Sequence, residues 1–96
     1  MRHKWIVVED AFVARGKGVL LEPKFAPESP PKGTFEILLR YPDGNERAVK
    51  ATLDFAHSRG NLAPFAMIRA FEIAESDVPK GTEVWFDDGN AAKGNQ

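Results

Sequence analysis

"TFEILLRYPDGNERAVKATLDFAH", residues 34–57, decides the fold. In its first half Phe35, Ile37, Leu39 and Tyr41 alternate with Thr34, Glu36 and Arg40. In its second half Val49, Ala51, Leu53 and Phe55 alternate with Lys50, Thr52 and Asp54. An apolar period of two belongs to a strand with one face buried, because successive side chains point to opposite sides of the pleat. Between the halves, "YPDGNE" carries Asp43-Gly44, and glycine there accepts the positive φ of a tight turn. Two antiparallel strands joined by a hairpin are therefore expected.

The same reading extends outward. "FAMIRAFEI", residues 65–73, alternates again and predicts that Phe65, Met67, Phe71 and Ile73 share an inward face, with Arg69 among them. "PKGT" occurs at 31–34 and at 79–82, each time before strand residues, as a reverse turn that launches a strand. Four prolines between Glu22 and Gly33 predict an extended loop. "SRGNLAPF" suits a short turn, and no segment of ten residues has a convincing helical period. Six or seven short strands with turn signals between them predict an all-β fold. A small closed antiparallel β-barrel of about six strands is expected, since closure leaves no exposed edge. Trp5 and Trp85 fall near the two ends of the chain and are expected to pack together where that barrel closes.

Composition sets the outer bounds. Ninety-six residues, 43% hydrophobic and 10% aromatic, suit one globular domain, expected over residues 1–88 with a disordered tail at 89–96. A formal net charge of −1 argues against binding that runs on bulk phosphate neutralisation. Without cysteine there is no disulfide, zinc-thiolate or thiol chemistry. The apolar run Trp5–Val8 ends at Glu9-Asp10, too soon for a secretory h-region, so a soluble cytoplasmic protein is expected.

Glu9-Asp10 is itself a puzzle, because a carboxylate pair between Trp5–Val8 and Ala11–Ala14 breaks a strand-like stretch, and buried charges are costly. The pair marks a bend at the barrel rim or a site. In the bend reading Phe12 belongs to the core.

The ordered set "VEDAFVARGKGVLLEP", "PPKGTFEILL", "ERAVKATLDFAH" and "FAMIRAFEIAESDVPKGTEVWF" resembles the second domain of elongation factor Tu and related translational GTPases, over residues 6–86. The most specific pieces are Glu9-Asp10-x-Phe12, the Arg15-Gly16-Lys17-Gly18 turn and Asp77-Val78-Pro79-Lys80-Gly81. The GTPase is absent: no Gly-rich loop ending in Lys-Ser or Lys-Thr occurs, so nucleotide hydrolysis is not expected. The Gly-Lys-Gly turn reads as a plain hairpin and not as a phosphate cradle, since no helix follows it.

The resemblance implies a ligand-binding role for Glu9, Asp10 and Phe12, which match the family segment that receives the aminoacylated adenosine of transfer RNA. His57 stands where the family carries an arginine, and the loop completing the family pocket is not recognisable in "RGNLAPF". Carboxylates accept hydrogen bonds from amino groups and sugar hydroxyls, and an aromatic face packs on a ring. The resemblance also favours a structural role for Arg69, the alternatives being a barrel-end residue whose stem reaches water and a ligand contact.

These readings imply a non-enzymatic binding module that recognises an RNA 3′ end or a protein partner of the translation machinery, with no cofactor. The neutral charge favours the protein. An inhibitor or decoy domain unrelated to RNA is the alternative. A small hydrolase using His57 ranks lower, because Asp54 lies three residues away and faces the opposite side of a continuous strand. His3 with Asp87-Asp88 is too small a set to argue a metal site.

Overall fold

The Asp43-Gly44 hairpin closes as its residue types require. Gly44 has φ 94° and donates to the Tyr41 carbonyl at 2.9 Å, while the Asn45 amide donates to Asp43 Oδ1 at 2.9 Å. The computed structural model describes residues 2–13, 17–56 and 65–87. These contain β1 (Arg2–Val7), β2 (Asp10–Val13), β3 (Val19–Phe25), β4 (Phe35–Arg40), β5 (Glu46–Ala56), β6 (Phe65–Ala70) and β7 (Glu83–Asp87), with a 3-10 turn at Glu75–Asp77. Gly33 and Gly81, in the two "PKGT" turns, both have positive φ, and β4 and β7 begin two residues later. Predicted features at Arg15-Gly16, His57, residues 58–64 and the tail 89–96 lie outside the described residues.

Every strand pair is antiparallel, in the order β1-β7-β4-β5-β6-β3-β2. The sheet is curled into an open half-barrel, which corrects the expectation of a closed cylinder. The reason lies in the first thirteen residues. β1 holds one edge of the sheet and β2 the other, yet they are consecutive in the chain. The stretch that would seal the seam is divided: its first half pairs with β7 and its second with β3. The exchange happens at Val8 and Glu9. Val8 donates to the Thr82 carbonyl at 2.7 Å and accepts from the Gly81 amide at 2.8 Å, whereas Glu9 donates to the Glu22 carbonyl at 2.8 Å.

Ile6, Val8, Leu21, Ile37, Leu39, Ile68 and Val84 fill the core of this half-barrel. On β5 Val49 and Ala51 point inward as expected, but the same row runs off the core and leaves Phe55 43% exposed. On β6 the expected face is reversed. Ala66, Ile68 and Ala70 are buried, while Phe65, Met67 and Arg69 lie on the outer side. Size misled the sequence reading here. Where β5 and β6 curl, Ala51 lies opposite Ala70, and small side chains let the strands bend inward as large ones would not.

The two tryptophans do not meet. β1 carries a register shift between Lys4 and Ile6, so Trp5 is an extra residue that turns inward, while Lys4 stays opposite Trp85 on the outer face. Trp5 stacks on Phe86 at 4.5 Å between ring centroids and touches Phe25 and Phe35 at 5.0 and 5.6 Å. Trp85 sits outside, its ring flanked by Lys4 and Arg40 and its Nε1–H donating to Glu83 at 2.9 Å. The proline-rich loop also begins later than expected, because β3 runs on to Phe25. Pro23, which has no amide to give a ladder, lies where the pairing of β3 with β6 slips between Leu21 and Phe25.

Candidate ligand-binding surface

The Glu9-Asp10 pair is resolved by alternation. Val8 is buried and Ala11 half-buried, whereas Glu9 and Asp10 are both exposed. Two successive residues facing away from the core require a bend, and the bend is the hand-over from β7 to β3. The carboxylates therefore stand in water at the rim, and no charge is buried. Asp10 Oδ1 accepts from the Ala11 amide at 2.9 Å, which helps fix the turn into β2.

From that bend β2 carries its side chains along the open edge of the sheet. Phe12 lies opposite Leu20 and Asp10 opposite Glu22. Phe12 is 36% exposed and Val13 67%, so Phe12 is not a core residue, contrary to the bend reading. Val7, just before the bend, is 44% exposed. Phe12 therefore stands exposed on a strand paired along one side only, with the facing pair Asp10 and Glu22 next along the ladder and Glu9 at the bend. Three of the four expected ligand residues, Glu9, Asp10 and Phe12, are thus neighbours on one edge. The fourth, His57, is outside the described residues.

Three features went unread in the sequence. One is a cleft of about 550 Å³ in the unsealed seam, floored by Trp5, Phe25 and Phe86 and rimmed by His3 and Pro27–Ser29. The run "WIVV" held its signal, because Trp5 and Ile6 are adjacent yet both face inward, which only a bulge permits. A second feature is the contact of Arg69 with Asp54, whose Oδ2 accepts from Nε at 2.9 Å and also from a second guanidinium nitrogen. Nη1 of Arg69 donates to the Lys17 carbonyl at 2.6 Å. Arg69 is therefore a strut between β5, β6 and the turn before β3. The hydrogen bond from Asp54 raises its pKa above the ordinary arginine value, against the lowering effect of burial. The third feature is a cleft beside that turn, lined by Lys17, Gly18, Thr34, Lys50, Phe71 and Glu72.

Among the described residues no three His, Asp or Glu side chains gather as a metal set, and no helix is long and apolar enough to cross a membrane. What the edge offers chemically is hydrogen-bond acceptance and negative charge around one aromatic ring. No family model, curated protein or solved structure matches this chain.

Proposed function

We propose that the chain is a non-enzymatic binding module of the translation-factor type, and that β2 and the bend before it engage a protein partner of the translation machinery. The observation that supports this reading is Phe12, exposed on an edge strand with Glu9 and Asp10 beside it. An exposed aromatic within a rim of charge is the common anatomy of an interaction hot spot. The rim is acidic, so it attracts a basic segment and repels a phosphate backbone, and the net charge of −1 adds no compensating basic field. The unpaired side of β2 can accept a partner strand by main-chain hydrogen bonds, leaving Phe12 as the side-chain anchor. The order of motifs along residues 6–86 brings the translation machinery into the reading.

Two titrations followed by amide resonances test it: one with total ribosomal protein freed of RNA, the other with short single-stranded RNA ending in CCA. The protein is expected to broaden Asp10–Val13 and Leu20–Glu22 in the wild type and not in Phe12→Ala, with the RNA leaving them in place. Shifts caused by the RNA alone would replace the protein reading with the RNA-end reading. A chain that responds to neither is not a translation-type module.

A further inference from the structure

We infer that Lys17, Lys50 and Phe71 form a second binding site, independent of the β2 edge, for a small molecule that joins a phosphate monoester to a flat ring. The three side chains line one cleft of about 570 Å³ where β6 ends beside the middle of β5, together with Gly18, Thr34 and Glu72. Phe71 follows the last residue of β6, and its amide donates to the Lys50 carbonyl at 2.9 Å, which continues the β5–β6 ladder by one step. On its other side Phe71 meets Gly18: a Cβ added there would stand 3.4 Å from the Phe71 ring. The ring therefore has a lysine-bearing strand on one flank and a glycine on the other, with Lys17 next to the glycine.

The charges in this cleft are the first argument for an anion. Arg40, Arg47 and Arg69 each have a carboxylate partner, but Lys17 and Lys50 make no ion pair among the described residues. Two ammonium groups exceed the single carboxylate of the lining, Glu72, and the Thr34 hydroxyl adds a neutral donor. A doubly charged phosphate with several acceptor oxygens uses all three donors at once. A ring on the same ligand then lies against the part of Phe71 that is half-exposed to the cleft.

The second argument is that the cleft is held in place. The Lys17 carbonyl is fixed by Arg69, which Asp54 fixes in turn. Gly18 has φ 84° and packs so closely on β6 that a Cβ would sit 2.8 Å from the Ala70 carbonyl oxygen. On the opposite wall Glu72 is the one non-glycine residue with positive φ among the described residues, at 59°, and the Arg47 guanidinium donates to its carbonyl at 3.3 Å. Backbone held in a sparsely populated conformation gathers where a binding surface must keep its shape.

Isothermal and amide-resonance titrations at physiological ionic strength with inorganic phosphate, adenosine 5′-monophosphate and adenosine test the proposal. Adenosine 5′-monophosphate is expected to shift Gly18, Lys50 and Phe71 and to bind about tenfold more tightly than either phosphate or adenosine alone. The double variant Lys17→Gln, Lys50→Gln, whose exposed side chains leave the fold intact, should weaken it about tenfold or more. Phe71→Leu should lower the affinity for the nucleotide towards that for phosphate. Equal binding by wild type and the double variant overturns the proposal, as does an absence of shifts at these residues. A nucleotide that binds no better than phosphate overturns the part played by the ring.

Discussion

Asp54 and Arg69 join β5 to β6 diagonally, not directly: Thr52 faces Arg69 and Met67 faces Asp54, and the carboxylate reaches along the strand to Nε at 2.9 Å. Because Arg69 also donates to the Lys17 carbonyl, the pair adds a polar tie between β5, β6 and the turn before β3. The carboxylate is more than a third exposed, so solvent weakens the attraction well below that of a buried pair. Asp54→Asn and Arg69→Gln are each expected to lower stability by about 1 kcal/mol, with a coupling of about 0.5 kcal/mol in the double variant. Urea midpoints for the four proteins of the cycle measure it. Strictly additive losses would mean that the contact contributes nothing beyond each residue alone.

The sign of the Arg69 shift fixes how that contribution varies with pH. A folded-state pKa raised above the unfolded value gives stability that is fully present below the unfolded pKa and is lost as pH rises through the folded one. Both values lie above the range in which the fold is ordinarily handled. The stability difference between wild type and Arg69→Gln should therefore hold steady from neutral to mildly alkaline pH. A difference that shrinks by pH ~9 would show that the strut depends on some other titrating group.

Trp5 and Trp85 should separate cleanly on truncation. Trp5 packs against three phenylalanines, so Trp5→Ala is expected to cost about 3–5 kcal/mol. Trp85 lies on the outer face between two cations, so Trp85→Ala should cost about 1–2 kcal/mol. Tryptophan emission gives a second check, since the spectrum left in Trp85→Ala, which reports Trp5 alone, should lie to the blue of that left in Trp5→Ala. The reverse order of losses would place the aromatic cluster outside the folding core.

Gly18 and Gly44 both have positive φ, yet only one is crowded. A Cβ on Gly44 meets nothing within 4 Å, so Gly44→Ala bears backbone strain alone, about 1 kcal/mol. At Gly18 the same change adds collision with the Ala70 carbonyl and the Arg69 stem at 2.8 and 2.9 Å, and about 2–3 kcal/mol is expected. Thermal melts of the two variants decide it. Equal losses would mean that the turn moves freely away from β6.

The hairpin at Asp43-Gly44 and the strands on either side were legible because turn chemistry and alternation are local. β6 was misread for the same reason: Ala66 and Ala70 announce an inward face only once the curl that needs small residues is known. The open seam was likewise invisible, because nothing in residues 2–13 says that one stretch serves both edges of a sheet. Glu9 and Asp10 stand out as carboxylates between apolar runs, whereas Phe12 joins them only through the family resemblance; Asp10 and Phe12 lie on β2 and Glu9 at the bend before it. Lys17, Lys50 and Phe71 could not be picked out, since residues scattered from 17 to 71 become neighbours only through the β3–β6–β5 register.

Asp10 and Glu22 lie directly opposite each other on β2 and β3, two like charges in register. Such a pair costs about 0.2–1 kcal/mol relative to a neutral one, and the cost falls as salt screens it. Asp10→Asn keeps an oxygen to accept from the Ala11 amide, so the bend survives while the repulsion goes. The variant should gain about 0.5 kcal/mol of stability at low ionic strength and little at high, as read from urea midpoints at the two salt levels. If the acidic rim recruits a basic partner, the same variant should also bind it more weakly, so that stability and binding move in opposite directions. A variant that loses stability at both salt levels would show that Asp10 is there to hold the bend and not to face a ligand.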